Sequence, residues 1–169
     1  MALLDIITYP DPFLRTKTRP VTVVDDTIRR IIDDMTETMY AAPGIGLAAT
    51  QVGLPHRLLI YDIAPEGVDN GLRVLINPEI VDHGGSQLSE GEGCLSVPDF
   101  RADVNRYEWV KVTALDRDGN PLTIEDNGLH AIVLQHEIDH LDGVLFIDRI
   151  SALKREMYKR RVKKQLKAS

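Results

Sequence analysis

Gln135-His136-Glu137-Ile138-Asp139-His140-Leu141 contains the pattern His-Glu-x-x-His. In a helix, residues four apart stand one turn above each other on the same face. His136 and His140 can therefore reach a single metal ion. Glu137, between them, is placed to handle the proton of a water activated by that ion. Leu129, Ile132 and Val133 fall one to two turns earlier on about the same face, so the two imidazoles sit at the end of an apolar wall. The helix is expected over Leu129 to Asp142, with Gly143 ending it.

Outward from this helix the pattern changes. Ile28, Ile31, Ile32, Met35 and Met39 recur at helical spacing and predict an amphipathic helix over 27–41. Thr27 is the expected N-cap and Pro43-Gly44 the stop. Tyr9 to Arg15 reads as a turn with one helical turn. Arg57 to Ile63 and Leu72 to Asn77 read as strands joined by a Pro/Gly/Asp/Asn loop, and Ile80-Val81 as a short piece. Tyr107 to Leu115 alternates, Asp116 to Asn120 turns, and Pro121 to Glu125 returns as a hairpin. Residues 151–167 form a second C-terminal helix. This order predicts an α+β fold: an antiparallel-rich sheet packed around a central metal-site helix, closed by a C-terminal helix.

The bulk properties set limits. A length of 169 residues predicts one domain over 1–169 with a real core. A 43% hydrophobic and 27% charged composition is that of an ordinary globular protein. No apolar run approaches the roughly 20 residues of a membrane span. The start, Met1 to Ile7, has neither a secretory nor a transit character, so a cytoplasmic location is expected. The lone cysteine, Cys94, agrees with a reducing compartment. Charge is uneven: residues 152–169 carry +7, the rest −13. An acidic body with a basic arm suits docking on a polyanion.

A catalytic ion of this kind needs three protein ligands and one open position. No histidine follows His140, and the only later glutamate is Glu156, in the basic tail. Asp142 and Asp148 are near in sequence, but the helix ends between them. Upstream, Glu92-Gly93-Cys94-Leu95-Ser96 offers a cysteine whose thiolate suits the site. Cys94 is the leading candidate. Glu156 would instead make a protease that cuts internal peptide bonds. A third reading, a nucleic-acid-binding protein with a structural metal, lacks the fourth ligand such sites use. Gly44-Ile45-Gly46-Leu47-Ala48-Ala49-Thr50-Gln51 imitates a dinucleotide fingerprint, but a helix precedes it where a strand is required. Its glycines instead point to close approach of backbone to a ligand. Gln51 offers an uncharged amide donor for a carbonyl oxygen.

Taken together, Gly44 to Gln51, Glu92 to Ser96 and His136 to His140 resemble the three motifs of the peptide deformylases, in the same order. The resemblance runs along the whole chain. It implies that Cys94, His136 and His140 bind the metal and that Glu137 is the general base. It also implies that the Leu95 N–H and the Gln51 amide stabilise the oxyanion, and that Gly46 binds substrate through its backbone. The substrate implied is the formyl group on the N-terminal methionine of nascent bacterial polypeptides, released as formate. Ile45, Gly46 and Leu95 would crowd the small formyl group, and Leu129, Ile132 and Val133 would receive the methionine side chain. Ferrous iron is the implied physiological metal, with zinc, nickel or cobalt also suited to one thiolate and two imidazoles. Where relatives have an apolar residue near the methionine pocket, this chain has Glu90. The basic C-terminal helix resembles a ribosome-docking element, and neither DNA nor a membrane is an expected partner.

Overall fold

The computed structural model describes residues 2–64 and 71–168. Helix α1 (Asp26–Ala41) precedes seven strands: β1 (Gly46–Ala48), β2 (Leu58–Tyr61), β3 (Arg73–Gly84), β4 (Gln87–Cys94), β5 (Val97–Arg106), β6 (Trp109–Leu115) and β7 (Pro121–Asn127). Helix α2 (Gly128–Leu141) and helix α3 (Ala152–Ala168) follow. The α+β architecture expected from the sequence is the one observed.

Five strands form one antiparallel sheet in the order β1-β2-β3-β6-β7, and among the described residues β4 pairs only with β5. Strand β2 shows how the layers arise. Its four residues, Leu58 to Tyr61, are all buried, because alternate side chains face opposite layers. Leu58 and Ile60 join Ile28, Ile32, Met35 and Met39 of α1. Leu59 and Tyr61 join Ala131, Leu134, Ile138 and Leu141 of α2. Helix α2 has a third neighbour, since Phe146 and Ile147, just beyond it, pack with Val97, Ala102 and Val104 of β5 and with Tyr158 and Val162 of α3. It therefore lies between the large sheet and the β4–β5 hairpin.

Several boundaries differ from expectation for physical reasons. Asp25, not Thr27, caps α1: its carboxylate accepts from the Ile28 N–H at 3.1 Å. The two pieces expected around Asn77-Pro78 are one long strand, β3. Its register shifts between Ile76 and Glu79, which absorbs the proline. There Asn77 adopts φ 54, and its amide exchanges two hydrogen bonds with the Val21 backbone, at 2.7 and 2.9 Å. Strand β2 is shorter than the expected 57–63. Residues 65–70 of the loop expected after it lie outside the described residues. Strands β1, β4 and β5 were not expected at all. Gly143 does end α2, at φ 77; a Cβ there would meet the Arg15 carbonyl oxygen at 2.5 Å.

Candidate metal centre and active site

The site forms where α2 faces the end of β4. Glycine at 93 and the tight return from Cys94 to its strand partner Val97 place the cysteine against the helix. Cys94 Sγ lies 3.2 Å from His140 Nε2, which lies 3.2 Å from His136 Nε2. All three donor atoms fall within 4.8 Å of one another. A tetrahedral ion with metal–nitrogen distances of roughly 2.0–2.1 Å and a metal–sulfur distance of about 2.3 Å would separate its donors by roughly 3.3–3.6 Å. The two shortest separations, 3.2 Å each, fall within a few tenths of an ångström of that range. The other expected sources of a third ligand are committed elsewhere. Asp142 pairs with Arg57 at 2.8 Å, Asp148 pairs with Arg15, and Glu156 is exposed on α3 with Lys159 at 3.8 Å.

Glu137 is 2% exposed, and its Oε2 has no hydrogen-bond partner among the described residues. Burial pushes its carboxyl up to about 7, with Glu92 and Asp139 adding to the effect and His136 and Arg106 opposing it. Such a group can both take and return a proton near neutral pH. Gly46 lies directly over it: a Cβ there would meet Glu137 Oε2 at 3.0 Å. Gly46→Ala is therefore expected to displace the carboxylate and to lower kcat by roughly 10- to 100-fold. Steady-state kinetics beside a metal assay check this, because metal content should not change.

Gln51 sits in a 3-10 turn, Ala49–Val52, right after β1. Its carbonyl accepts from the Ala48 N–H at 3.0 Å, which aims the amide at the cysteine side. There Nε2 donates to Ser96 Oγ at 3.1 Å and lies 3.6 Å from Cys94 Sγ. Leu95 packs its side chain on Gly44, where a Cβ would come within 2.7 Å of it. A cleft of about 840 Å³ gathers Ile45, Gly46, Gln51, Cys94, Leu95, Leu129, Ile132, Val133, His136 and Glu137. Leu129 is exposed at its mouth and Val133 is buried at its base. Glu90 reaches the same cleft from β4 as an exposed residue.

Three further residues had no assigned role in the sequence reading. Glu92 receives a hydrogen bond from His136 Nδ1 at 2.6 Å and is forked by Arg106 through Nε, at 3.2 Å, and Nη2. Arg106 Nη1 reaches Asp139 at 2.9 Å. Burial would raise the Glu92 carboxyl, but hydrogen bonds from His136 and Arg106 outweigh it and hold it down at about 2. Bonding Nδ1 to this carboxylate fixes the His136 tautomer and leaves Nε2 facing the cleft. The only prior signal was that Glu92 and Asp139 belong to the two motifs; nothing marked Arg106.

Residues 3–156 match the model of the polypeptide deformylase family. The chain belongs to that family. Relatives agree along the full length. The chain is 53% identical to the peptide deformylase of Desulfosudis oleivorans, over 99% of this chain and 96% of that protein. Among solved structures, the peptide deformylase of Legionella pneumophila superposes with a TM-score of 0.89 at 46% identity, covering 99% of this chain and 98% of its own. That of Ehrlichia chaffeensis in complex with actinonin gives 0.90 at 41% identity, covering 98% of each chain. The chain is thus a deformylase, a hydrolase that removes the formyl group from the N-terminal methionine of newly synthesised proteins. Deformylases are metalloenzymes, and Cys94, His136 and His140 form a donor set suited to an ion. Among the described residues, no helix is long and apolar enough to cross a membrane.

Proposed function

We propose that Cys94, His136 and His140 hold one divalent ion, ferrous iron in the cell, and that Glu137 moves the protons of deformylation. One observation carries this reading: three donors within 4.8 Å of one another beside a buried carboxylate with an oxygen unpaired among the described residues. When bound, the ion lowers the pKa of water and polarises the formyl carbonyl. Glu137 takes the proton as water adds to the formyl carbon. It then gives that proton to the departing amine as the C–N bond breaks, leaving formate and a free amino terminus. The Gln51 side-chain amide, turned from Cys94 Sγ, and the Leu95 backbone N–H donate to the developing oxyanion.

Substrate placement follows from topology. Among the described residues, strand β1 is an edge of the large sheet and β4 has one partner only. An extended peptide entering between them finds backbone partners on both sides, starting at Gly46. Its methionine side chain lies against Leu129, Ile132 and Val133, contributing about 2 kcal/mol by burial. Ile45 and Leu95 narrow the entrance to admit a formyl group. Later residues meet few side chains, so broad tolerance is expected there. The whole chain acts as one catalytic domain in the bacterial cytoplasm, where formylated chains emerge.

Formate release from formyl-Met-Ala-Ser by anaerobically purified protein tests this. Chelator-sensitive release is expected, with faster loss in air for iron than for cobalt or nickel. Chelator-insensitive release overturns the metal assignment. Cys94→Ser should lose tight metal binding and turnover together, as read by metal content after dialysis.

The basic α3 is proposed to dock on ribosomal RNA. Tyr158 and Val162 anchor it in the core, and the Arg161 guanidinium packs over the rings of Phe100 and Tyr158 at 5.6 and 5.4 Å. Removing everything after Ile150 would therefore uncover the body. Reversing Lys163, Lys164 and Lys167, all exposed, is the cleaner change. It should weaken ribosome binding and reduce the salt slope by roughly 0.7–0.9 per lost phosphate contact. Unchanged binding in a co-sedimentation assay overturns this docking mode.

A further inference from the structure

We propose that Arg149 is a positioning residue for His136, acting through Asp139, Arg106 and Glu92. This rests on the reading of His136 as a metal ligand. The five side chains form one line of alternating charge from the surface to the cleft. Arg149 grips Asp139 with two donors, Nε to Oδ2 at 2.6 Å and Nη2 to Oδ1 at 2.8 Å. The same Oδ2 accepts from Arg106 Nη1 at 2.9 Å. The remaining face of the Arg106 guanidinium is spent on Glu92, and Glu92 holds His136 Nδ1 at 2.6 Å.

The orientation of each group is set by the next one outward. Arg106, 2% exposed, is planar, so with Nη1 held on Asp139 its Nε and Nη2 are aimed at Glu92. Asp139 is 15% exposed on the outer side of α2, and its carboxylate can turn about its own bond. Besides Arg106, its side chain bonds one partner among the described residues, Arg149. With both oxygens gripped, Asp139 cannot turn; with one released, the fork on Glu92 loosens and His136 tilts.

The same short turn bears on His136 a second time. Arg149 closes the 3-10 turn Phe146–Arg149, and the Phe146 ring stacks near that of His136, with centroids 6.1 Å apart and planes at 24°. The turn thus fixes the imidazole by ring contact and by hydrogen-bond relay. Asp139, the fourth residue of the His-Glu-x-Asp-His motif, gains a role: it is the joint between the buried and the exposed arginine.

An exposed ion pair contributes little to stability, and Arg149 is 45% exposed. A purely structural role therefore predicts a small fall in Tm and nothing at the metal. A positioning role predicts a change at the metal. Groups that bond a ligand directly alter metal affinity by about 10–100-fold, and Arg149 lies further out, so roughly three- to tenfold is expected.

The test is cobalt(II) titration, in competition with a chelator, of wild type, Arg149→Gln and Arg149→Lys. Arg149→Gln should weaken cobalt binding by that factor, shift the visible d–d bands and lower kcat on formyl-Met-Ala-Ser with KM unchanged. Arg149→Lys, which keeps the charge but not the fork, should fall between. Unchanged affinity and spectrum in Arg149→Gln, with only Tm reduced, overturns the role of Arg149 and leaves the metal assignment standing. Wild-type protein that releases formate but shows no thiolate-to-cobalt charge-transfer band overturns the ligand reading, and this inference with it.

Discussion

Glu137→Gln is expected to keep the fold and the metal and to lose turnover by about 10²–10⁴-fold in kcat. The amide has the shape of the carboxylate and the same hydrogen-bonding reach, but it cannot accept a proton from water. The effect should therefore fall on kcat, with KM for a formyl-methionyl peptide little changed. The stability of metal-free protein should move the other way. The Glu137 carboxyl is raised from 4.5 to about 7 by burial, so the folded state holds its proton more tightly than the unfolded chain. Below 4.5 both states are protonated and nothing is lost. As pH rises through that window toward 7, the wild type pays an increasing cost to ionise a buried acid. The Gln variant has no such cost, so its Tm should equal or exceed that of the wild type at pH 8. A variant that retained turnover would remove Glu137 from the proton path. A Tm deficit growing with pH would contradict the burial argument.

Arg106→Met should be the most destabilising single change near the site, by about 3–5 kcal/mol in urea unfolding. The guanidinium is 2% exposed and answers two carboxylates, Glu92 and Asp139, which are 6% and 15% exposed. Removing it leaves Glu92 buried without its guanidinium and Asp139 held by Arg149 alone. Methionine fills the volume but supplies no donor. The pH profile should change as well. With its pKa depressed from 4.5 to about 2, Glu92 contributes stability that is complete above 4.5 and lost as pH falls toward 2. That acid-side loss should shrink in the variant, which keeps only the His136 bond to Glu92. Pairing Arg106→Met with Glu92→Gln should recover part of the deficit, because the second change removes one stranded charge. A loss below about 1 kcal/mol would place the triad in the class of exposed pairs.

What the sequence disclosed, and what it hid, follows from the range of each interaction. Helices α1 and α2 and the β6–β7 hairpin were legible because their patterns are local: Ile28 to Met39 at helical spacing, alternation from Trp109, and a turn at Asp116 to Asn120. The donors His136 and His140 were legible for the same reason, since four residues of helix set their separation. Cys94 was reached only by asking what filled a third position. Strand β4 stayed hidden because Gly91 and Gly93 interrupt it; β5 does alternate, with Ala102 and Val104 buried between exposed Arg101, Asp103 and Asn105, but Asp and Asn are poor strand formers. Strand β3 looked broken at Pro78, which a register shift accommodates. Arg106 could not be read at all: its role exists only once β5, β4 and α2 are folded against each other.

The separation of the chain into two sheets has a consequence for solubility. Open strand edges invite pairing with other copies, and this protein has such edges at its working face. Strand β1 is only three residues long, and β4 changes register between Ser89 and Glu92 and again before Cys94. Neither presents the long, flat ladder that a second chain could zip onto, although a short extended peptide still fits between them. The irregularities that make room for a nascent amino terminus also guard the molecule against aggregating through the opening it must leave for its substrate.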